Sequence, residues 1–205
     1  MPFRGWPVEA VEFYEGLAAD NSKPFWLENK SVFESVVRAP MESLLADLAE
    51  EFGTGRIFRP YRDVRFSKDK RPYKLNLAAH LPAGYISFSA DGLFVGSGLY
   101  LAETAQLARL RAAIDDDGSG SELESILSDL RAWGGEIVAH GQLKTAPRGY
   151  PKDHPRIELL RQKGMTMSKS WSAGPWLGTV QARDRVVDAL RRARPLNAWL
   201  DRYVG

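Results

Sequence analysis

The feature that most constrains the fold is the pair Asp91-Gly92, which separates two runs rich in β-forming residues, 85–90 and 93–100. Such a pair favours a two-residue hairpin turn, because both turn positions require a positive φ that Asp and Gly tolerate. Alternating residues at 61–66 and an extended pattern at 73–80 precede this hairpin. We therefore predict an antiparallel or mixed β-sheet in the middle of the chain.

Helical periodicity lies on both sides of the predicted sheet. Pro40 is expected to break or kink the second helix, Gly53 to end it, and Pro195 to interrupt the last one. The helical segments are 7–19, 23–52, 103–115, 121–133, 155–162 and 176–194, with a surface loop at 116–120. Further short strands are predicted at 136–138, 142–144 and 165–171. Helices, then contiguous strands, then helices favour an α+β fold, with the sheet packed by N-terminal and C-terminal helices, over regular βαβ winding.

Composition limits the classes of protein that this chain can belong to. With 205 residues, 44% of them hydrophobic and 26% charged, the chain is expected to form a single domain, 1–205, with a substantial core. Cysteine is absent, which removes disulfides and thiolate chemistry and fits a reducing compartment, so we expect a cytoplasmic protein. No leader peptide or membrane-spanning run is recognised, and membrane partners are not expected.

The positive charge is concentrated in one segment, residues 56–74, which reads R-I-F-R-P-Y-R-D-V-R-F-S-K-D-K-R-P-Y-K. Eight basic and two acidic residues give it a formal charge of +6, which leaves −4 for the rest of a chain whose total is +2. If residues 62–66 form a strand, Arg62, Val64 and Phe66 lie on one face, with Asp63 and Arg65 on the other. An Asp between two Arg residues can hold one guanidinium in a bidentate pair and leave the other free for an anion.

This composition suggests a specific role for each polar residue of the segment. We expect Arg59, Arg62, Arg65, Lys70 and Lys74 to supply positive charge to a ligand, and Tyr73 to donate a hydrogen bond. Asp63 would orient an Arg or act as a general base. The alternative is an exposed edge strand whose charges only prevent aggregation.

The stretch R-P-Y-R-D-V-R-F-S-K-D-K-R-P-Y-K resembles the signature of the DUF2461 family, a group of mostly bacterial proteins of similar length. The resemblance extends to F-Y-E-G-L-A-A-D-N-S-K-P-F-W near the start, to D-G-L-F-V-G-S-G-L-Y, and to A-P-R-G-Y-P-K-D-H-P-R-I-E-L-L-R. It implies a family without an assigned activity, and so supports the location of a site without its chemistry. The signature positions that it implies are Arg59, Arg62, Asp63, Arg65, Phe66, Asp69, Lys70 and Tyr73.

A second polar stretch, residues 144–156, contains Arg148, Asp153 and His154. Arg148 could add a ligand contact, and His154 could carry a proton, since its ordinary pKa is near neutrality. Helix entry before Pro155 is the competing role for Asp153 and His154. His80 and His140 are isolated, so no metal site is expected, and the sequence identifies no cofactor.

Three functional hypotheses remain open from the sequence. The first is a pocket for a small phosphate- or carboxylate-bearing ligand built on residues 56–74, with enzymatic activity undecided. The second is a non-catalytic module that binds nucleic acid or an acidic protein partner, with nucleic acid disfavoured by the near-neutral total charge. The third is a structural Arg-Asp network with no ligand. Oligomeric state is left open.

Overall fold

The structure is a computed structural model that describes residues 2–65, 67–138 and 140–205. The described residues form helices and one six-stranded antiparallel sheet, which confirms the α+β class. The strand order is β1-β2-β3-β4-β6-β5. The strands are β1 Arg56–Ile57, β2 Asn76–Leu81, β3 Gly84–Ser89, β4 Gly92–Leu99, β5 Glu136–Val138 and β6 Met165–Ser172.

The helices lie before and after the strand-rich centre, as the periodicity predicts. They are α1 Val8–Ala19, α2 Lys23–Val32, α3 Ala39–Phe52, α4 Thr104–Asp115, α5 Asp117–Ala132, α6 Ile157–Leu160 and α7 Gln181–Tyr203, with a π-helical segment Phe33–Arg38 and a 3₁₀ turn Pro175–Gly178. Gly53 ends α3 with a φ of 84°, as expected for a helix-ending glycine. Pro40 lies in the first turn of α3, directly after the π-helical segment, so the helical path changes its hydrogen-bond spacing there without breaking.

The backbone packs as two compact units, described here one at a time. The first comprises Met1–Val95 and Ser170–Ala189, and the second comprises Gly96–Lys169 and Leu190–Gly205. The expectation of a single domain over 1–205 stays a prediction.

In the first unit, one face of the sheet is buried and the other is partly open. Ile86, Phe88, Leu93 and Val95 are buried. Their neighbours on the other face, Tyr85, Ser87, Ser89 and Phe94, are partly exposed. Trp6 stacks on Phe88 with ring centroids 4.6 Å apart. The second unit has its own apolar core, formed by residues of α4, α5, β6 and the end of α7, among them Leu110, Leu127, Met167 and Trp199.

The predicted hairpin is confirmed, although its turn lies one residue earlier than the Asp-Gly pair suggests. Ala90 and Asp91 occupy the turn, and Gly92, with a φ of 129°, is the first residue of β4. A side chain on Gly92 would collide with the carbonyl oxygen of Trp171. Glycine is therefore required at this position for close backbone packing as well as for its φ.

The expected strand at 62–66 is wrong for the residues that are described, and Phe66 lies outside them. Only Tyr61 pairs in ladder fashion, with Tyr73. Beyond this pair, the side chain of Asp63 accepts a hydrogen bond from the backbone N–H of Arg65, two residues later. The side chain of Asp69 accepts one from the N–H of Arg71 in the same way. Such side-chain bonds to nearby N–H groups compete with strand pairing and favour turns.

Three other local predictions are also wrong. The loop expected at 116–120 is largely the first turn of α5, because Asp116 accepts a hydrogen bond from the N–H of Ser119 and so begins the helix. Pro195 lies inside α7, which continues to Tyr203. Of the strand expected at 142–144, only one bridge, between Gln142 and Gln162, is formed. The strands at 136–138 and 165–171 are confirmed.

Candidate functional site

The charged segment forms a hairpin-like loop in the first unit. We call residues 59–74 the basic loop. Its stem is closed by two backbone bonds of 2.8 Å, from the N–H of Arg62 to the carbonyl of Pro72 and from the N–H of Lys74 to the carbonyl of Pro60. Because both prolines accept these bonds through their carbonyls, their missing N–H groups cost the stem nothing.

The stem is fixed to the helices through Tyr73. The side chain of Asn21 accepts a hydrogen bond from the N–H of Tyr73 (3.0 Å) and donates one to its carbonyl (3.2 Å). The ring of Tyr73 is buried and stacks on Trp26 at 4.5 Å between centroids. Burial, and after it the nearby Tyr61, raises the pKa of Tyr73. The structure gives Tyr73 a packing role, and its hydrogen bond to a ligand stays a prediction.

The indole of Trp26, which stacks on Tyr73, also brings a polar N–H group to the base of the loop. Its Nε1 is buried and has no hydrogen-bond partner within the described part of the chain. A buried N–H without a partner costs about 1–3 kcal/mol. Trp26, on α2, therefore holds a buried donor beside the stem that has no acceptor among the described residues.

At the loop tip, Asp63 and Arg65 form the bidentate pair that the sequence suggests. Nε and Nη2 of Arg65 lie 3.0 and 2.6 Å from the two carboxylate oxygens of Asp63. These side-chain bonds, and then the N–H of Arg65, lower the pKa of Asp63. A carboxylate whose oxygens are both engaged and whose pKa is lowered is a weaker base than a free one, so the geometry does not favour Asp63 as a general base.

A second ion-pair group occupies the other side of the loop tip. Asp69 accepts hydrogen bonds from Arg71 and from Nη1 of Arg62, and these bonds, Arg71 first, lower its pKa. Nζ of Lys70 donates to the carbonyl of Val64 at 3.0 Å. Three of the predicted ligand residues, Arg62, Arg65 and Lys70, are thus engaged within the loop itself.

The other two predicted cations behave differently. Arg56 and Lys74 lie beside the ring of Phe58, and Arg59 lies close enough to Lys74 for its charge to act on it. We call Arg56, Arg59 and Lys74 the cation triad. Nζ of Lys74 is 5.6 Å from the Phe58 centroid, and Cζ of Arg56 is 5.9 Å from it. Burial, and then the positive charge of Arg59, lowers the pKa of Lys74. Among the residues that the structure describes, no carboxylate pairs with any of the three.

The remaining candidates, Arg148 and His154, lie in the second unit, whereas Asp63 lies in the first. Nδ1 of His154 accepts the N–H of Arg156 at 3.0 Å, and its Nε2 is 3.0 Å from a carboxylate oxygen of Asp115. Both ring nitrogens are occupied at the entry to α6, which favours the helix-entry role over proton transfer. Arg148 is exposed on a turn.

Sequence reasoning missed several residues that organise these two regions. In the second unit, the side chain of Arg156 is 8% exposed and bonds Glu124 (2.9 Å) and Ser121 (3.0 Å), with its guanidinium above Gly120. In the first, Asn21 and Trp26 support the stem. All three lie in stretches that resemble the family, so that resemblance was the available signal.

Within the described ranges, no group of three or more His, Asp or Glu side chains is arranged to hold a metal ion. None of the helices described has both the length and the apolar character needed to cross a bilayer.

Comparison with known proteins gives one result. A family model described as "Conserved hypothetical protein (DUF2461)" matches residues 9–199, nearly the whole chain. Neither the comparison with curated proteins nor that with solved structures gave a match. The extent of the family match covers the basic loop, the hairpin and the Arg156 region alike, and the chain therefore belongs to the DUF2461 family.

Proposed function

We propose that this protein binds an anionic ligand, bearing phosphate or carboxylate groups, at the cation triad. The observation that carries the proposal is that Arg56 and Lys74 lie beside one ring, with Arg59 close to Lys74, and that none of the three forms an ion pair with a carboxylate among the described residues. The basic loop uses both of its aspartates, Asp63 and Asp69, on other arginines. The charge of Arg59 also acts on Asp63 and helps to lower its pKa, but Asp63 forms its ion pair with Arg65, so the cations of the triad are left without an ion-pair partner of their own.

Burial of Lys74, and then the nearby charge of Arg59, make its charged form costly, and a bound anion offsets that cost. Because the pKa of Lys74 is lowered in the folded chain, its charged form opposes folding at neutral pH, and this cost falls as pH rises through the folded pKa. Guanidinium groups match the planar oxygens of carboxylate and phosphate, and Lys adds a compact point charge. The triad has the donors for such a ligand. Binding at the triad requires no bond to be made or broken.

We also propose that the protein works in a reducing compartment such as the cytoplasm, because its sequence has no cysteine.

Calorimetric titration with inorganic pyrophosphate and with citrate, at low salt, tests the proposal. We expect saturable binding that weakens at least about tenfold in Arg59→Gln and in Lys74→Gln, since each removes one charge-assisted contact. Lys152→Gln, which removes an exposed lysine of the second unit, is the matched control and should bind like the wild type. Equal binding by all four proteins, or none by the wild type, would refute the site.

A second candidate function is supported by the ion pairs of the loop tip. Arg62, Asp69 and Arg71, together with Asp63 and Arg65, form a network that holds the loop shape and requires no ligand. In that case Arg62→Ala should lower the melting temperature and leave pyrophosphate affinity unchanged in the folded fraction. A loss of affinity with an unchanged melting temperature would instead assign Arg62 to the ligand site.

A further inference from the structure

The open face of the sheet in the first unit carries three aromatic rings in series. Phe58, Tyr85 and Phe94 are each partly exposed. The ring centroids of Phe58 and Tyr85 are 6.2 Å apart, and those of Tyr85 and Phe94 are 6.0 Å apart. On β3 and β4 these rings alternate with the buried Ile86, Leu93 and Val95. We call Phe58, Tyr85 and Phe94 the ring face.

The residues beside these rings are small or polar. Ala78 pairs with Ser87 across β2 and β3, and Ser87 accepts a 2.7 Å hydrogen bond from the side chain of Asn76. The side chains of Ala78 and Ser87 are too small to separate the rings. The planes of Phe58 and Tyr85 are inclined by 41°, and those of Tyr85 and Phe94 by 71°, so a planar group would stack on one ring at a time.

The cations lie at one edge of the ring face. Arg56 pairs with His80, and His80 pairs with Tyr85, so these three side chains follow one row across the sheet. Arg56 and Lys74 both lie within 6 Å of the Phe58 ring, at 5.9 and 5.6 Å. Aromatic surface and uncompensated positive charge are thus contiguous, and this juxtaposition fits a ligand that carries planar rings and phosphates together.

We propose that the ring face binds single-stranded nucleic acid, with bases stacked on Phe58, Tyr85 and Phe94 and phosphates at the cation triad. This inference rests on the proposed anion site for its phosphate contacts and adds the bases. Base stacking on aromatic side chains beside a basic groove is the general physical basis of single-strand binding. A duplex is excluded as the occupant because its bases are already stacked on one another. Three rings in series, with Lys74 and Arg56 at the Phe58 end, can each take one base of a strand.

Fluorescence anisotropy with a labelled ten-residue oligothymidylate, and with an abasic decamer of the same phosphate count, separates the two contributions. We expect the oligothymidylate to bind at least about tenfold more tightly than the abasic decamer. Tyr85→Thr and Phe94→Thr should each remove about tenfold of the oligothymidylate affinity and leave abasic binding unchanged. Lys74→Gln should weaken both ligands.

Two further variants, Tyr85→Phe and Tyr100→Thr, serve as controls. Tyr85→Phe retains the ring and should retain affinity even if the threonine variants fold poorly. Tyr100→Thr removes a ring of the second unit that is 63% exposed and should not change oligothymidylate affinity. Equal binding of the two decamers would overturn base stacking on the ring face and leave the anion site standing. If neither decamer binds and pyrophosphate does not bind either, both the ring face and the anion site are refuted. Thymidine monophosphate binding as tightly as the decamer, or duplex binding as tightly as the single strand, would also overturn the inference.

Discussion

At the scale of single residues, pairing decides which charges of the segment 56–74 are available. Arg62, Arg65 and Arg71 each lie against an aspartate, whereas Arg56 and Arg59 do not. The same residue type therefore has two different roles within sixteen positions. Charge counts along the sequence locate the segment, and the side-chain partners show which of its arginines are already paired.

The paired aspartates give an acid-range prediction. Because hydrogen bonds from Arg71 and Arg62 lower the pKa of Asp69, the stability that this carboxylate contributes is present above the ordinary pKa of about 3.9 and is lost only as pH falls through the lower folded value. We expect the carboxyl ¹³C resonance of Asp69 to titrate with a midpoint clearly below about 3.9. In Arg71→Gln the midpoint should rise, and a wild-type midpoint at the ordinary value would contradict the ion-pair geometry.

Arg156 gives a prediction for the second unit. Its nearly buried guanidinium bonds Glu124, Ser121 and the carbonyl of Ile114, so Arg156→Met leaves several polar groups without their donor. We expect the melting temperature to fall by about 5 °C or more, measured by calorimetry. Arg202→Met, which removes an arginine that is 64% exposed, is the control and should change it by less than about 2 °C.

At the scale of elements, proline does not end helices in this protein as its local chemistry suggests. Pro40 and Pro195 both lie within helical segments that continue past them. Buried residues such as Leu190 and Ala193 before Pro195, and Leu196 and Trp199 after it, keep the apolar stripe of α7 in phase. Packing of that stripe outweighs the missing N–H, which is why α7 does not end where the sequence predicts.

Removal of this proline should therefore stabilise the protein. Pro195 is exposed, and a proline in a helix interior is up to about 3 kcal/mol less favourable than alanine. We expect Pro195→Ala to raise the free energy of unfolding by about 1–2 kcal/mol, measured by urea denaturation. An unchanged or lower stability would show that the proline ring contributes packing that the exposed position does not suggest.

At the scale of the whole molecule, the net charge of +2 conceals a strong asymmetry. The segment 56–74 carries +6 and the rest of the chain −4. Since charges farther away than about 10 Å are screened at 0.1 M salt, an anion at the triad responds mainly to its neighbours. We therefore expect local charge, more than the total, to govern association with an anion.

This asymmetry predicts the salt dependence of binding. We expect pyrophosphate affinity to fall by about tenfold or more when NaCl rises from about 50 to 500 mM, because the interaction is between exposed charges. Lys152→Gln should show the same slope as the wild type, whereas Lys74→Gln should show a shallower one. Titration calorimetry at four salt concentrations measures these slopes, and a salt-independent affinity would contradict an electrostatic site.

The sequence by itself determined the fold class, the hairpin, most helices and the position of the charged segment. These features depend on hydrophobic period and on turn chemistry, which act between residues close in the chain. Only the tertiary structure decided that Arg62 pairs with Asp69, that Asn21 holds Tyr73 and that Phe58, Tyr85 and Phe94 share one face. Those contacts join residues up to 52 positions apart, and loop geometry and strand register, which no local pattern encodes, set them.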